Sequence, residues 1–191
     1  MNARISLRTA ALAVGLAVAA PLAAVPVYAA MTVMVGGAPM LPSKNIIENA
    51  VNSKDHTTLV AAVKAAGLVD TLEGVGPFTV FAPTNEAFAA LPKGTVEMLL
   101  KPENKDKLTA ILTYHVVPGH MTVADIAGKI DEMGGKLMLK TVQGEDLTIE
   151  RMGKSALTVT DAKGDVARIT IPDVLQSNGV IHVINKVLIP G

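Results

Sequence analysis

Three observations predict an α+β domain, with helices in the first part of the chain and strands in the last. Between Thr57 and Ala66, the apolar residues Leu59, Ala62, Val63 and Ala66 fall at i, i+3, i+4 and i+7, one continuous helical face. From Lys136 onward the spacing changes to short apolar runs punctuated by Gly144, Gly153, Gly164 and Gly179, which reads as a succession of strands. Between these regions, Gly76 to Phe88 carries all three phenylalanines of the protein at one strand-to-helix joint, so the largest apolar side chains concentrate there. Helices first and strands later make one mixed domain rather than a repeating βαβ unit.

In chain order, Arg4 and Arg8 precede a small-apolar run from Ala10 to Ala20 and then Val27-Tyr28-Ala29. This is the charged, apolar and cleavage-site order of a secretory signal peptide, residues 1–29, and it predicts export. The run is short and interrupted by Pro21 and Pro26, so no membrane span is expected after its removal. Residues 30–44, with Gly36-Gly37, Pro39 and Pro42, read as a flexible lead-in to a domain over 45–191.

Helices are expected over 45–52 and 57–66, the second ended by Gly67, with one further turn over 68–72. Phe78 to Phe81 then form a buried strand between Pro77 and Pro83. Thr84 sits where an N-cap belongs and Glu86 in the first turn after it, where the helix dipole favours a carboxylate. Thr95 is placed to cap a helix over 96–100. Pro102 opens another through Lys107, Leu108, Ile111 and Leu112 to Tyr114-His115. Val116-Val117 extends, Pro118-Gly119 turns, and Thr122 caps a short helix to Ile126. Strands are expected over 137–142, 147–151, 156–160, 166–171 and 180–188, with Asn178-Gly179 as a two-residue turn before the last. Val180 to Ile184 is apolar on both faces apart from His182, so that strand is expected to be central.

Composition narrows the function. Half of the 191 residues are hydrophobic but 3% are aromatic, and Trp and Cys are absent, so the core is aliphatic and held without disulfides. Seventeen basic side chains balance seventeen acidic ones, and none of the basic residues forms a stripe suited to phosphates, which argues against a nucleic-acid partner. No G-x-S-x-G elbow occurs, and no serine is read as lying near a histidine in the chain. Gly134-Gly135-Lys136 fails as a phosphate loop because Ile130 and Leu137 occupy the required Gly and Ser/Thr positions. His115 and His120, five apart around Pro118-Gly119, make a poor ligand pair, and Met31, Met34 and Met40 lack a supporting histidine for a soft metal. No catalytic residue, metal or cofactor is expected, and His115 and His182 read as buried, backbone-bonded rings.

Phe78-Thr79-Val80-Phe81-Ala82-Pro83-Thr84-Asn85-Glu86-Ala87-Phe88 resembles the first signature of the fasciclin (FAS1) domain. Leu112-Thr113-Tyr114-His115-Val116-Val117-Pro118-Gly119 and Ser177-Asn178-Gly179-Val180-Ile181-His182-Val183-Ile184 resemble its other two, in the family's order. The resemblance runs from about Asn45 to Pro190. It implies a wedge or sandwich of antiparallel strands with helices packed on one side. It also implies a non-catalytic adhesion or interaction module with a protein or cell-surface partner. The Tyr114-His115 pair matches one that the family uses for packing and as part of a binding surface. Pro172-Asp173-Val174 matches the place of a Pro/Lys-Asp-Ile tripeptide proposed in animal members to contact integrins. Its aspartate is expected at the surface, where it either meets a partner or opens a turn. The alternative is a periplasmic binder of a small hydrophobic ligand or metal.

Overall fold

The computed structural model describes residues 32–153 and 156–191. The signal-peptide reading falls on residues outside these.

The first described element corrects the expectation of a flexible lead-in. Val33–Val35 (β1) and Ala38–Met40 (β2) pair antiparallel, Val33 opposite Met40. Gly36 and Gly37 make the two-residue loop at φ 57° and 77°, the left-handed pair whose twist suits a tight hairpin. A Cβ on Gly36 would lie 2.4 Å from Ser53 Oγ, so this position also needs glycine for space. Alternation places Val35 and Met40 in the core and leaves Met34 outside. Beyond the hairpin, the Leu41 N–H donates to Asn49 Oδ1 (3.0 Å) and its carbonyl accepts from Asn49 Nδ2 (2.8 Å). The Gly and Pro content suggested mobility, but the alternation across Gly-Gly is a hairpin signal.

Ile46–Ala50 (α1) begins with a capping box between Asn45 and Glu48. Thr57–Ala66 (α2) buries Ala62, Val63 and Ala66, the face its spacing predicts, and ends at Gly67. Val69–Glu73 (α3) leads to Phe78–Pro83 (β3). Thr84 then caps Asn85–Ala89 (α4), its hydroxyl accepting from the Ala87 N–H at 3.3 Å. Thr95–Leu99 (α5) starts one residue earlier than expected, with Gly94 rather than Thr95 at its N-cap. A 3-10 turn at Pro102–Asn104 feeds Lys105–Tyr114 (α6), which delivers the chain to Val116–Pro118 (β4). Val123–Glu132 (α7) opens with a capping box between Thr122 and Asp125. It continues past Ile126 because Ile130, one turn on, is also buried.

The remaining strands are Lys136–Lys140 (β5), Asp146–Met152 (β6), Ala156–Thr160 (β7), Val166–Gln176 (β8) and Gly179–Ile184 (β9). They join β3 and β4 in one sheet of order β4-β3-β9-β8-β7-β6-β5. Every neighbouring pair is antiparallel except β3 and β9, which run parallel with Phe78 opposite Gly179 and Pro83 opposite Ile184. The expected wedge of antiparallel strands is present, with one parallel pair that makes the sheet mixed. Its parallel pair lies in the interior, where both faces are covered. The Val142 N–H donates to the Val116 carbonyl at 2.8 Å, so the far edge curls back to β4 and nearly closes a barrel. Gln176 pairs with Gly179, making Ser177 and Asn178 the loop rather than Asn178 and Gly179. Gly179 is required for a different reason: a Cβ there would lie 2.2 Å from the Phe78 carbonyl oxygen.

The central strand β9 is buried at every residue, as its two-sided apolar pattern predicts. Together β3 and β9 divide the interior. Val80, Ala82, Ile181 and Val183 face the β1–β2 hairpin and helices α1, α2, α3 and α6. Phe81 and Ile184 face the other way, into a core with Tyr114, Ile126, Ile130 and the inward residues of β5–β8. Among the described helices, α7 fills the barrel side with Ile126 and Ile130, and α6 reaches it through its last residue, Tyr114.

Candidate functional site

Tyr114 is the last residue of α6 and is fully buried. Its hydroxyl donates to the Asp146 carbonyl (3.0 Å) and accepts from the Ala162 N–H (2.9 Å), so it ties α6 to the start of β6 and to the β7–β8 turn. Burial pushes the phenol's pKa up, partly opposed by the Ala162 amide. His115, next in the chain, is 3% exposed. Its Nδ1 bonds the Ile111 carbonyl at 2.8 Å, and its Nε2 accepts from the Leu188 N–H at 3.0 Å. A backbone donor on Nε2 requires the neutral ring protonated at Nδ1. Burial lowers its pKa to about 4, outweighing the Ile111 bond. With both nitrogens occupied, His115 has no lone pair for a metal. His120, the other half of the weighed pair, is at the surface.

Pro172, Asp173 and Val174 do not lie in a turn before the last strand. They lie inside β8, where the register against β9 slips between Ile171 and Val174, so Pro172 and Asp173 form a bulge. Proline cannot donate to a ladder, which is why a bulge accommodates it. Pro172 is exposed, Asp173 is half-buried, and Val174 is 1% exposed with its side chain in the helical core. Asp173 has φ 54°, the one positive φ among the described non-glycine residues. Its Oδ1 accepts from the N–H of Val123, first residue of α7, at 2.7 Å. This bond, to a residue 50 positions away, replaces the expected local turn bond. A carboxylate there satisfies an orphan amide and complements the helix dipole.

Beneath the bulge, the Asp173 N–H donates to His182 Nδ1 (3.2 Å) and His182 Nε2 bonds the Met121 carbonyl (2.9 Å). These partners select the tautomer opposite to that of His115. His182 is fully buried, 5.7 Å between centroids from the Phe81 ring, and desolvation lowers its pKa. The bulge, the start of α7 and the core histidine are therefore one hydrogen-bonded unit.

Two asparagines within the signature stretches do work that the sequence reading missed. Asn178 accepts from the Ile46 N–H (3.1 Å) and donates to the carbonyls of Leu72 (2.8 Å) and Gly74 (3.0 Å), joining the start of α1 to the end of α3. Asn85 accepts from the Thr58 N–H (2.9 Å) and donates to the Lys54 carbonyl (2.8 Å), docking α4 on α2. Their signal was a short amide side chain beside an apolar run, in the β8–β9 loop for Asn178 and at the start of α4 for Asn85.

The reading that no serine lies near a histidine in the chain is wrong. Ser53, only three residues before His56, places its Oγ 2.9 Å from His56 Nδ1. Both side chains are buried at the rim of a cavity of about 50 Å³ in the helical core. His56 Nε2 completes no hydrogen bond, although the Ala82 carbonyl is near enough to favour a proton there, and burial lowers the ring's pKa. A hydrolytic serine needs a base whose other nitrogen is oriented by an acid. Here that nitrogen has no acid partner among the described residues, so the pair is a packing contact. Among the described residues no three His, Asp or Glu side chains converge as metal ligands, and no helix is long and apolar enough to cross a membrane.

The Fasciclin domain family pattern matches residues 54–190. Protein sll1483 of Synechocystis sp. is 52% identical over 148 residues, covering 76% of this chain and 73% of that protein. Human periostin is 32% identical over 148 residues, which are 78% of this chain and 16% of periostin. The solved FAS1 domain pair of the insect cell adhesion molecule Fasciclin I overlays with a TM-score of 0.69 at 19% identity, over 78% of this chain and 51% of that one, a likeness of fold. The three signatures occupy β3–α4, the α6–β4 junction and the β8–β9 hairpin with β9, which meet around the central parallel pair of the sheet. By pattern, relatives and fold, this chain belongs to the fasciclin domain family.

Proposed function

We propose that this chain is an exported, non-catalytic fasciclin domain that binds a protein or cell-surface partner through the Pro172-Asp173 bulge. The observation that carries the reading is the backbone of Asp173. A non-glycine residue in the left-handed region costs on the order of 1 kcal/mol and persists where its surroundings over-determine it, a pattern common at binding sites. The bulge holds Pro172 in solvent and fixes the carboxylate through Oδ1, while Oδ2 has no hydrogen bond among the described residues. A fixed carboxylate with an unused oxygen suits an Arg side chain or a cation presented by a partner. Val174 faces inward, so the contact reduces to Pro172 and Asp173, with Tyr114 and His115 bracing the fold from within. Adhesion enters from the family and from the insect cell adhesion molecule whose fold it shares; export rests on the pattern of residues 1–29.

Asp173→Asn is the discriminating variant. Asparagine tolerates the left-handed region and keeps an acceptor for the Val123 N–H, so the fold is retained while the charge is lost. The expected outcome is an unchanged melting curve with reduced attachment to envelope preparations of the native host. Full attachment by the folded variant rules the bulge out as the contact. Intact mass of the exported protein checks export: a mature form still carrying Arg4 and Arg8 contradicts cleavage near Ala29.

A further inference from the structure

The helical core keeps a cavity of about 50 Å³ between the β1–β2 hairpin, α1, α2 and the sheet face of β3 and β9. One water needs roughly 10–15 Å³, so the cavity has room for about four atoms of that size. Of its lining residues, Ala50, Leu59 and Val60 alone are partly exposed, which puts the entrance between α1 and α2. Among the described residues, Ser53 and His56 carry the only polar side chains on the wall. Ser53 Oγ is engaged by His56 Nδ1 at 2.9 Å. That leaves His56 Nε2, in a residue 3% exposed, as the one buried side-chain nitrogen or oxygen without a hydrogen bond among the described residues. The carbonyl of Ala82, another lining residue, favours a proton on Nε2 without completing a bond to it. Ser53 then donates to Nδ1, and the Nε2–H is left without an acceptor. A buried donor in that state costs more than a completed bond gains.

We infer that this cavity binds a small neutral alcohol, a short aliphatic group bearing one hydroxyl, held at His56 Nε2. The hydroxyl oxygen accepts from the Nε2–H, and its own hydrogen is free to donate to the Ala82 carbonyl. Burial of the aliphatic part supplies the affinity. No Asp, Glu, Lys or Arg lines the cavity, so an ion has no counter-charge there. A single water satisfies the same two polar groups but leaves most of the aliphatic wall without contacts. A hydrocarbon fills the wall and leaves the Nε2–H unpaired. The adhesion reading makes no use of the site.

The protein is titrated with propan-2-ol and with isobutane, in which a methyl group replaces the hydroxyl, following methyl and histidine-ring NMR signals. With the alcohol, saturable shifts are expected at Leu59, Val63, Ile181 and Val183, at millimolar concentrations suited to a ligand of about four heavy atoms. The alcohol, and not isobutane, should move the His56 Nε2 resonance. In Ser53→Ala/His56→Phe, which keeps an aromatic ring without its nitrogens, the alcohol should lose about tenfold in affinity relative to isobutane, the scale of one hydrogen bond. Absence of saturable shifts at those methyl groups, or an alcohol that leaves the His56 resonance unmoved, would overturn the proposal. An unchanged ratio of alcohol to isobutane affinity in the folded double variant would do the same. The ring resonance decides even if that variant misfolds.

Discussion

Mild acid should destabilise this domain well before its carboxylates protonate, chiefly through His115. The ring's ordinary pKa of about 6.5 applies in the unfolded chain, whereas burial holds it at about 4 in the fold. A lowered folded pKa means that the unfolded state takes up the proton first. The stability contribution is therefore complete above pH 6.5, falls as pH drops through the window from 6.5 to 4, and is lost below it. Between pH 7.5 and pH 5 the linkage relation with these two values gives a loss of about 2 kcal/mol. For a domain of this size that corresponds to a fall in Tm of about 4–8 °C. The structural reason is specific: a second ring proton would sit on Nε2, facing the Leu188 N–H that now donates to it. His182 and His56 are shifted in the same direction, so they add to the effect. Asp125, whose pKa is lowered by its hydrogen bonds to Thr122, loses its contribution only below the carboxylate range, outside this window. Urea midpoints measured at several pH values from 7.5 to 5 provide the assay. His115→Phe should be less stable throughout, because the Leu188 and Ile111 backbone groups lose their partner, yet show a flatter pH profile. A flat profile in the unaltered protein, or a His115 NMR resonance titrating near pH 6.5, would refute the reasoning.

Phe81→Ala should cost about 3–5 kcal/mol, the usual loss for a core aromatic, because Phe81 is fully buried; a Tm within a few degrees of the unaltered protein contradicts this. Tyr114→Phe keeps the ring but strands the Ala162 N–H and the Asp146 carbonyl, for an expected loss of about 1–3 kcal/mol read from denaturant midpoints. Asp173→Ala should cost about 2–3 kcal/mol, more than a surface turn residue, because it combines a lost charged hydrogen bond with a β-carbon at positive φ and no side-chain compensation. Calorimetry alongside Asp173→Asn separates the two contributions: equal melting of the Ala and Asn variants shows that the Val123 contact is energetically empty.

The elements whose rules act over a few residues were legible in the sequence. The helical face of Leu59, Ala62, Val63 and Ala66, the Thr84 cap and the two-sided apolar run of β9 each follow from spacing, capping or burial within one segment. The family was legible for the same reason, since its signatures are three contiguous stretches. The β1–β2 hairpin was also written locally, in Val33, Val35 and Gly36-Gly37, but composition obscured it. Ser53 and His56 were near neighbours in the chain, yet their contact depends on a turn that brings Oγ and Nδ1 together. Other features could not be read from any single segment. That β3 runs parallel to β9 depends on how about a hundred intervening residues return. That Asp173 caps a helix 50 residues earlier, and that Val174 beside it points into the core, depends on a bulge set by the pairing of β8 with β9. Spacing and capping act along the chain, whereas register, bulges and side-chain partners are chosen by packing between distant segments, and only the tertiary structure makes that choice.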